Sequence, residues 1–413
     1  MIGVIADDVT GATDVAVAFR RSGLRCGIYF GTPEPDVIDS TVDVAVIALK
    51  SRTIPAAEAV TMSMAAAVTL QQAGAEQLYF KYCSTFDSTA EGNIGPVVDA
   101  LADLTNTELV IGTPSSPEHR RTSYGGYLFV NELLLAESHM RDHPLTPMTD
   151  SSLCRLMDMQ SRGTSAVITL ATVRAGSAAI REQINGLRGK ARYLFPDAIT
   201  DEDLLLLARE LLDEPFVAGA AGLAGALGRA HAEQTGTKPV DADVSIPDGD
   251  AVVLAGSCSR RTLEQIEHMH RAGRPAYRLD ALRHQDPDTL SRHALRWYDA
   301  LERGAAPLIY SSLPPAELHQ VQSVLGVERS AHILETAMGQ IAAGLRSRGL
   351  TRFVAAGGET SGSIIDALQI RGGIVGAEAA QGVPWVHTEE GLDVLLKSGN
   401  FGDPDLLITA SSS

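Results

Sequence analysis

Runs of about 18 consecutive apolar residues, the length needed to cross a bilayer, are missing from this 413-residue sequence. Its first residues, Met-Ile-Gly-Val-Ile-Ala-Asp-Asp, meet acid at once, without a basic segment or a long apolar stretch. Neither secretion nor membrane insertion is therefore expected, and a cytoplasmic location is. Basic residues are scarce relative to acidic ones: 34 Lys and Arg face 51 Asp and Glu, a formal charge of −17. No block of Lys or Arg interrupts that acidity, which argues against nucleic acid as a partner. A compact anion is not excluded, because the backbone N–H groups of a helix start form a local positive site whatever the net charge.

Cysteine is sparse too. Cys26, Cys83, Cys154 and Cys258 lie far apart with no C-x-x-C pair, so neither a zinc knuckle nor a disulfide framework is expected. His268 and His270 are two residues apart and share no helix face, and H-E-x-x-H is absent, so a histidine-built metal site is not expected either.

What the sequence does have is alternation. Short β-branched runs such as Ile2–Ile5, Val44–Leu49, Leu78–Lys81 and Leu109–Ile111 alternate with helical stretches at Ala12–Ser22, Ala56–Ala73 and Gly95–Leu104. The pattern predicts βαβ units, and continuous rather than alternating hydrophobicity in the strands predicts sheets covered on both faces. The length favours two cores over one. Helices expected at Leu204–Leu212 and Ala221–Arg229 close the first half, and the polar stretch 231–250, with two prolines and two glycines, reads as a linker. A second α/β pattern begins at Ala251–Ala255 and continues through Leu308–Ser311, a helix around His332–Ser347, Phe353–Ala356 and a helix at Ile364–Leu368. The expected fold is α/β with two domains, residues 1–230 and 251–413, each with a mostly parallel sheet flanked by helices, and an active site in the interdomain cleft.

Six segments carry candidate chemistry. In Ile5-Ala-Asp-Asp-Val-Thr-Gly-Ala-Thr-Asp14 a strand end delivers Asp7 and Asp8 to the crevice where open parallel sheets bind ligands. There a carboxylate can hold sugar hydroxyls, accept a proton or bind a metal. Asp8 or Thr10 acting only as a helix cap is the alternative, and Asp14 is expected on the helix surface. Phe80-Lys-Tyr-Cys-Ser-Thr-Phe-Asp-Ser-Thr89 places Lys81 beside hydroxyls at a second strand end, the chemistry that recognises a polyhydroxy carboxylate, although hydroxyl residues also form ordinary turns. In Leu49-Lys-Ser-Arg-Thr53, Arg52 is the natural bidentate partner for a substrate carboxylate.

In the second half, Ala255-Gly-Ser-Cys-Ser-Arg-Arg-Thr262 lies where a strand becomes a helix, so Ser257 and Ser259 would face a phosphate, or Ser259 would simply cap the helix. Ala355-Ala-Gly-Gly-Glu-Thr-Ser-Gly362 is neither G-x-G-x-x-G nor a Walker motif, yet Gly357 and Gly358 permit close backbone approach and Thr360 adds a donor. Glu359 beside phosphates suits a Mg²⁺ hydration shell or a ribose. Leu395-Leu-Lys-Ser-Gly-Asn-Phe-Gly-Asp-Pro404 runs a last strand into a loop whose Gly399 and Gly402 could cover adenine or phosphate, or merely form a turn.

Together these segments resemble the four-carbon acid sugar kinase family. The likeness rests on Asp7–Gly11, Gly357–Gly362, Gly382–Trp385 and Lys397–Gly402, and spans nearly the whole chain in order. Lys81–Thr89 with Gly92–Gly95, Ala48–Thr53 and His143–Asp150 look like the 3-oxo-tetronate kinase branch. The resemblance implies an N-terminal sugar-acid domain, a C-terminal nucleotide domain, and transfer of the ATP γ-phosphoryl group to the 4-hydroxyl of a 3-oxo-tetronate. It implies ATP and Mg²⁺ as cofactors, with the metal ligands unassigned. Carried over by position, Asp8, Arg52, Lys81, Tyr82, Cys83 and Ser84 would touch the sugar acid, with Asp7 and Thr10 beside them. Ser257 or Ser259, Gly357, Gly358, Glu359, Thr360 and Gly399 would touch ATP, with Gly402 shaping the loop. Asp8 is the candidate base, and a purely binding role for it is equally compatible. The partners are a small-molecule sugar acid and ATP, with a homodimer left open. Two stretches depart from the family pattern. Gly112–Thr122 differs from the usual Pro-Ala-Phe-Pro and Gly-Arg-Thr, and Phe216–Ala224 has Ala where Gly-Ser is common. The rival readings are a D-threonate or D-erythronate kinase and a non-catalytic sensor that uses nucleotide only to set its conformation.

Overall fold

The computed structural model describes residues 1–143, 146–238, 247–302 and 306–412. Its contacts divide into two compact units, Met1–Asp241 and Ala242–Ser413.

The N-terminal unit alternates strands and helices as follows: β1 (Ile2–Ala6), α1 (Val9–Arg20), β2 (Cys26–Phe30), β3 (Val44–Ala48), α2 (Ala56–Gln72), β4 (Gln77–Lys81), α3 (Ile94–Leu104) and β5 (Val110–Thr113). A small antiparallel sheet of β6 (Arg121–Tyr124), β7 (Tyr127–Val130) and β8 (Leu133–Leu134) interrupts that rhythm. Then come α4 (Leu153–Asp158), β9 (Ser165–Ile168), α5 (Leu170–Arg174), α6 (Ser177–Leu187), β10 (Tyr193–Pro196), α7 (Asp201–Arg209), β11 (Phe216–Gly219) and α8 (Ala221–Thr235). The main sheet has the order β2-β3-β1-β4-β11-β5-β10-β9 and its pairs are all parallel. Every residue of β1 and β3 is buried, as continuous apolar strands between helix layers require. Phe19 on α1 packs edge-on against Tyr79 of β4, whose hydroxyl donates to the Ala220 carbonyl at 2.6 Å.

The C-terminal unit comprises β12 (Ala251–Ala255), α9 (Arg260–Arg271), β13 (Ala276–Arg278), α10 (Pro287–Asp299), β14 (Leu308–Tyr310), α11 (Pro315–Leu325) and α12 (Val327–Arg346). It continues with β15 (Arg352–Ala356), α13 (Gly358–Leu368), β16 (Gly372–Ala380), β17 (Val383–Thr388), β18 (Asp393–Lys397) and α14 (Leu406–Ala410). The order β13-β14-β12-β15-β18 is parallel, and β17 and β16 add an antiparallel extension beyond β18. Fully buried Trp385 of β17 joins Val253, Met269, Leu308, Leu395 and Leu406 in one core.

The helix expected around His332–Ser347 is most of α12, which begins earlier, at Val327, and which Gly326, at φ +84°, separates from α11. Helix α8 runs to Thr235, five residues into the stretch read as a linker. Residues 239–246 of that stretch, and Pro144 and Leu145 of the His143–Asp150 segment, lie outside the described residues. In both sheets the strand order reverses, about β1 in the first unit and about β12 in the second, and the carboxyl ends of strands at such a reversal are where ligands bind. No helix among the described residues is long and apolar enough to cross a membrane.

Candidate active site

In the N-terminal unit the ends of three adjacent strands converge. Strand β1 delivers Asp7 and Asp8, β3 leads to Arg52, and β4 ends in Lys81. The Arg52 guanidinium grips Asp7 with Nε to Oδ2 at 2.9 Å and Nη2 to Oδ1 at 2.7 Å, and Nη2 also reaches Asp8 Oδ1 at 2.5 Å. Asp8 is the N-cap of α1: its Oδ1 accepts the Gly11 N–H at 2.9 Å while Oδ2 accepts the Thr10 hydroxyl at 2.7 Å. Capping and clustering, held apart as alternatives by the sequence, are both true of Asp8. Burial pushes its carboxyl up, but Arg52 and then Lys81, Thr10 and Gly11 outweigh that and hold it below the usual carboxylate range. For Asp7 burial prevails over Arg52 and the shift is upward.

Arg52, expected to meet a substrate carboxylate, is thus committed to protein carboxylates through Nε and Nη2. Its Nη1 has no hydrogen-bond partner among the described residues. Lys81 is almost wholly buried and its Nζ donates to the Tyr82 carbonyl at 2.9 Å. Cys83 and Ser84 are half-buried in the loop that follows, where the Cys83 sulfur lies 2.9 Å from Thr85 Oγ1 and burial pushes the thiol up to about 11. Tyr82 is different. Its ring is buried edge-on against Phe86 and tilted against Phe80, so it belongs to the core, and only its carbonyl serves the cluster.

Asp14, expected on the helix surface, is half-buried one turn beyond Thr10. Burial pushes its carboxyl up, with Lys81 and His119 pulling the other way, and it makes no hydrogen bond among the described residues. The two stretches that depart from the family pattern meet each other. Helix α8 has no side-chain cap of its own at Ala220, and Ser116 Oγ, from the loop after β5, accepts the Gly222 N–H at 2.9 Å instead.

In the C-terminal unit the same arrangement of three strand ends recurs with different side chains. After β12 come Gly256, Ser257 and Cys258; after β15 come Gly357 and Gly358; after β18 comes Gly399. Gly357 takes φ +129°, which side-chain-bearing residues avoid, and a Cβ there would stand 3.0 Å from the Ser257 nitrogen. A Cβ on Gly399 would lie 2.6 Å from Ser257 Oγ and 3.0 Å from Ser259 Oγ. Ser259 caps α9 through the Thr262 N–H and donates to the Gly399 carbonyl at 2.6 Å, so it both caps and ties the two loops together. Gly402, by contrast, turns the chain at φ +79° against Leu406 and acts through backbone shape.

The turns after β12 and β15 form one end of a cavity of about 260 Å³, whose lining does not include Ser259, Gly399 or Gly402. Gly256, Ser257, Gly357, Gly358, Glu359 and Thr360 line that end, with Gly358 and Glu359 exposed at the first turn of α13. The other end is mostly apolar, formed by Leu313, Leu318 and Val321 before and on α11 and by Leu334 and Met338 on α12, with Gln322, Ser330 and Glu335 among them. Donors at a positive helix start and an apolar slot beyond them fit an anionic group joined to a flat ring. The sequence reading found the glycine end and missed the apolar end, whose residues are spread through α11 and α12 as ordinary helix-face hydrophobics.

A family model described as a sugar-binding N-terminal domain matches residues 2–227, and one described as a nucleotide-binding C-terminal domain matches residues 252–407. The chain is 43% identical over 413 residues to a 3-oxo-tetronate kinase of Cupriavidus necator, covering 98% of this chain and 95% of that one. It is 41% identical over 417 residues to a 3-oxo-tetronate kinase of Salmonella typhimurium, covering 99% and 98%. The chain belongs to the four-carbon acid sugar kinase family, in its 3-oxo-tetronate kinase branch. Two crystal structures share the fold across 99% of this chain and 98% of theirs. One, of a Salmonella typhimurium LT2 protein described as a tRNA synthase, has a TM-score of 0.90 at 40% identity. The other, of a Haemophilus influenzae protein, has a TM-score of 0.84 at 39% identity.

The described residues hold no cluster of three His, Cys, Asp or Glu side chains able to bind a metal on its own. Exposed Glu359, beside the glycine turn, is a carboxylate at the edge of the cavity.

Proposed function

We propose that this chain is a cytoplasmic ATP-dependent kinase that phosphorylates the 4-hydroxyl of a 3-oxo-tetronate in the catabolism of four-carbon acid sugars. The observation that carries the reading is the two-ended cavity of the C-terminal unit, whose glycine turns and α13 start suit phosphates and whose apolar end suits adenine. It lies within the segment matched by the nucleotide-binding model, and the Asp8–Arg52–Lys81 cluster lies within the segment matched by the sugar-binding model.

The O4–Pγ bond forms as the bond from Pγ to the β-bridging oxygen breaks, ADP leaves, and the hydroxyl proton passes to a carboxylate. Such a transfer needs positioning and charge neutralisation more than covalent help. The first-turn backbone N–H groups of α13, at Gly358, Glu359 and Thr360, supply the first part of that neutralisation, and Mg²⁺ held by Glu359 and the phosphates would supply the rest. Asp8, loaded with three donors and held acidic, orients Arg52 and Thr10. Two carboxylates can take that proton: Asp8, and Asp14, whose carboxyl burial pushes up and which makes no hydrogen bond among the described residues. Lys81 and the Nη1 edge of Arg52 are the cations available to the acid's carboxylate.

A coupled assay of ADP release across 3-oxo-tetronates, D-threonate and D-erythronate tests the proposal. Turnover with the oxidised acid supports it, preference for an unoxidised acid moves the chain to another substrate, and binding without turnover makes it a sensor.

A further inference from the structure

Lys397 ends β18 with no exposed surface at all. Its Nζ lies 2.8 Å from the Gly399 carbonyl, 3.0 Å from the Ser398 carbonyl and 3.0 Å from Thr262 Oγ1. An ammonium has three N–H donors, and all three are taken by the protein. Lys397 is therefore not a phosphate-reaching lysine of the P-loop kind. The Gly399 carbonyl is in turn held three ways, by Lys397, by Ser259 Oγ at 2.6 Å and by Thr262 Oγ1 at 2.9 Å. That carbonyl is the fixed point between the β18 loop and the start of α9.

The N-terminal unit contains the same device. Ala6 pairs with Lys81 as Ala356 pairs with Lys397. The Asp7 N–H donates to the Lys81 carbonyl at 3.1 Å, and the Gly357 N–H donates to the Lys397 carbonyl at 2.9 Å. Each lysine's Nζ then turns to the carbonyl of the next residue. The difference lies in the surroundings: Lys81 has Asp8 and Asp14 nearby, whereas the oxygens around Lys397 are all neutral.

We infer that Lys397 is a positioning residue for nucleotide binding, its buried ammonium pinning the Gly399 carbonyl to α9 so that the Ser257 and Gly357 turns keep the shape that receives phosphate. The inference rests on the nucleotide reading of the C-terminal cavity. Because no carboxylate compensates it, the ammonium is easily lost: burial, and then the field of Arg261, push it down to about 7. Arg261, on α9, is itself paired with Glu264 at 3.0 Å. A neutral amine keeps two N–H donors for three acceptors, so one hold on the loop is released as pH rises through that value.

The test is calorimetric titration of the full-length protein with ADP between pH 6 and pH 8.5, for the wild type, Lys397→Met and Thr262→Val. Titration with D-erythronate runs alongside as a measure of the other unit. ADP's own ionisation is common to all three proteins, so the ratio of affinities isolates the lysine. The expected result is a roughly tenfold loss of ADP affinity in Lys397→Met at pH 6, about the worth of one charge-assisted hydrogen bond, narrowing toward pH 8.5. Thr262→Val, which keeps the lysine and removes one acceptor, is expected to weaken ADP severalfold and so carries the test if Lys397→Met does not fold. Erythronate affinity should not change in either variant. ADP binding by folded Lys397→Met with the wild-type affinity and pH slope overturns the inference. A wild type that binds no ADP at any pH overturns the nucleotide reading as well.

Discussion

Arg52 and Asp7 form a two-pronged ion pair, Nε to Oδ2 at 2.9 Å and Nη2 to Oδ1 at 2.7 Å, between the ends of neighbouring strands. Asp7 is buried, while the Arg52 side chain keeps 23% exposure. Removing the arginine leaves a carboxylate that burial already pushes toward its neutral form. Arg52→Ala should cost about 3 kcal/mol in urea unfolding at pH 7, the lower end for breaking a buried pair, because the arginine is partly solvated. The gap should narrow in acid, as Asp7 takes up a proton in the variant. Arg52→Lys should recover only part of the loss, since an ammonium cannot reproduce the two-pronged contact.

The two acids of the first helix are distinguished by the acid limb of kcat/KM, which reports the free enzyme's essential base. The Asp8 carboxyl is shifted down from the ordinary carboxylate value and that of Asp14 up. With Asp14 as the base, activity should fall with acid at a pH above that ordinary value. Asp14→Asn should abolish the limb and lower kcat on the order of 100- to 10,000-fold. The raised carboxyl also means that the native state binds the extra proton first, so stability contributed by Asp14 declines as pH rises through its native value. A limb below the ordinary carboxylate value, with Asp14→Asn active, would return the role to Asp8.

Gly399 has no room for a side chain: a Cβ would stand 2.6 Å from Ser257 Oγ. Gly399→Ala should therefore push the two loops apart and weaken ADP binding by about tenfold or more, with the sugar acid's affinity unchanged. Paired titrations with ADP and a four-carbon acid read both quantities.

Ser116 caps the first turn of α8 from a distant loop. Ser116→Ala should destabilise the protein by about 1 kcal/mol, the usual value of a lost helix cap. A thermal scan with unaltered ADP affinity would locate the loss in the N-terminal unit.

Much of this was legible in the sequence because strands buried on both faces are continuous apolar runs, and the ligand-bearing turns follow directly where such runs stop. Asp7, Asp8, Lys81 and the Gly357–Gly358 pair stand out for that reason. The roles within the clusters were less legible, because they depend on partners distant in the chain. Arg52 reads as an open guanidinium until Asp7 is found in its grip, 45 residues away. Tyr82 reads as a loop residue until Phe80 and Phe86 enclose it. Lys397 passes as one letter of a motif, since only the fold brings Thr262 to it, 135 residues away. The antiparallel pair β16 and β17 went unread because β16 is rich in Gly and Ala with little β-branched signal, and β17 carries Pro384, which reads against a strand.

The central claim is tested most directly by incubating the protein with ATP, Mg²⁺ and a 3-oxo-tetronate while following ADP release, with phosphorus NMR of the product. Acid-dependent ADP formation with phosphate esterified at the 4-hydroxyl is the predicted result. ADP formation indifferent to the acid, or an acid that binds and is recovered unphosphorylated, would contradict it.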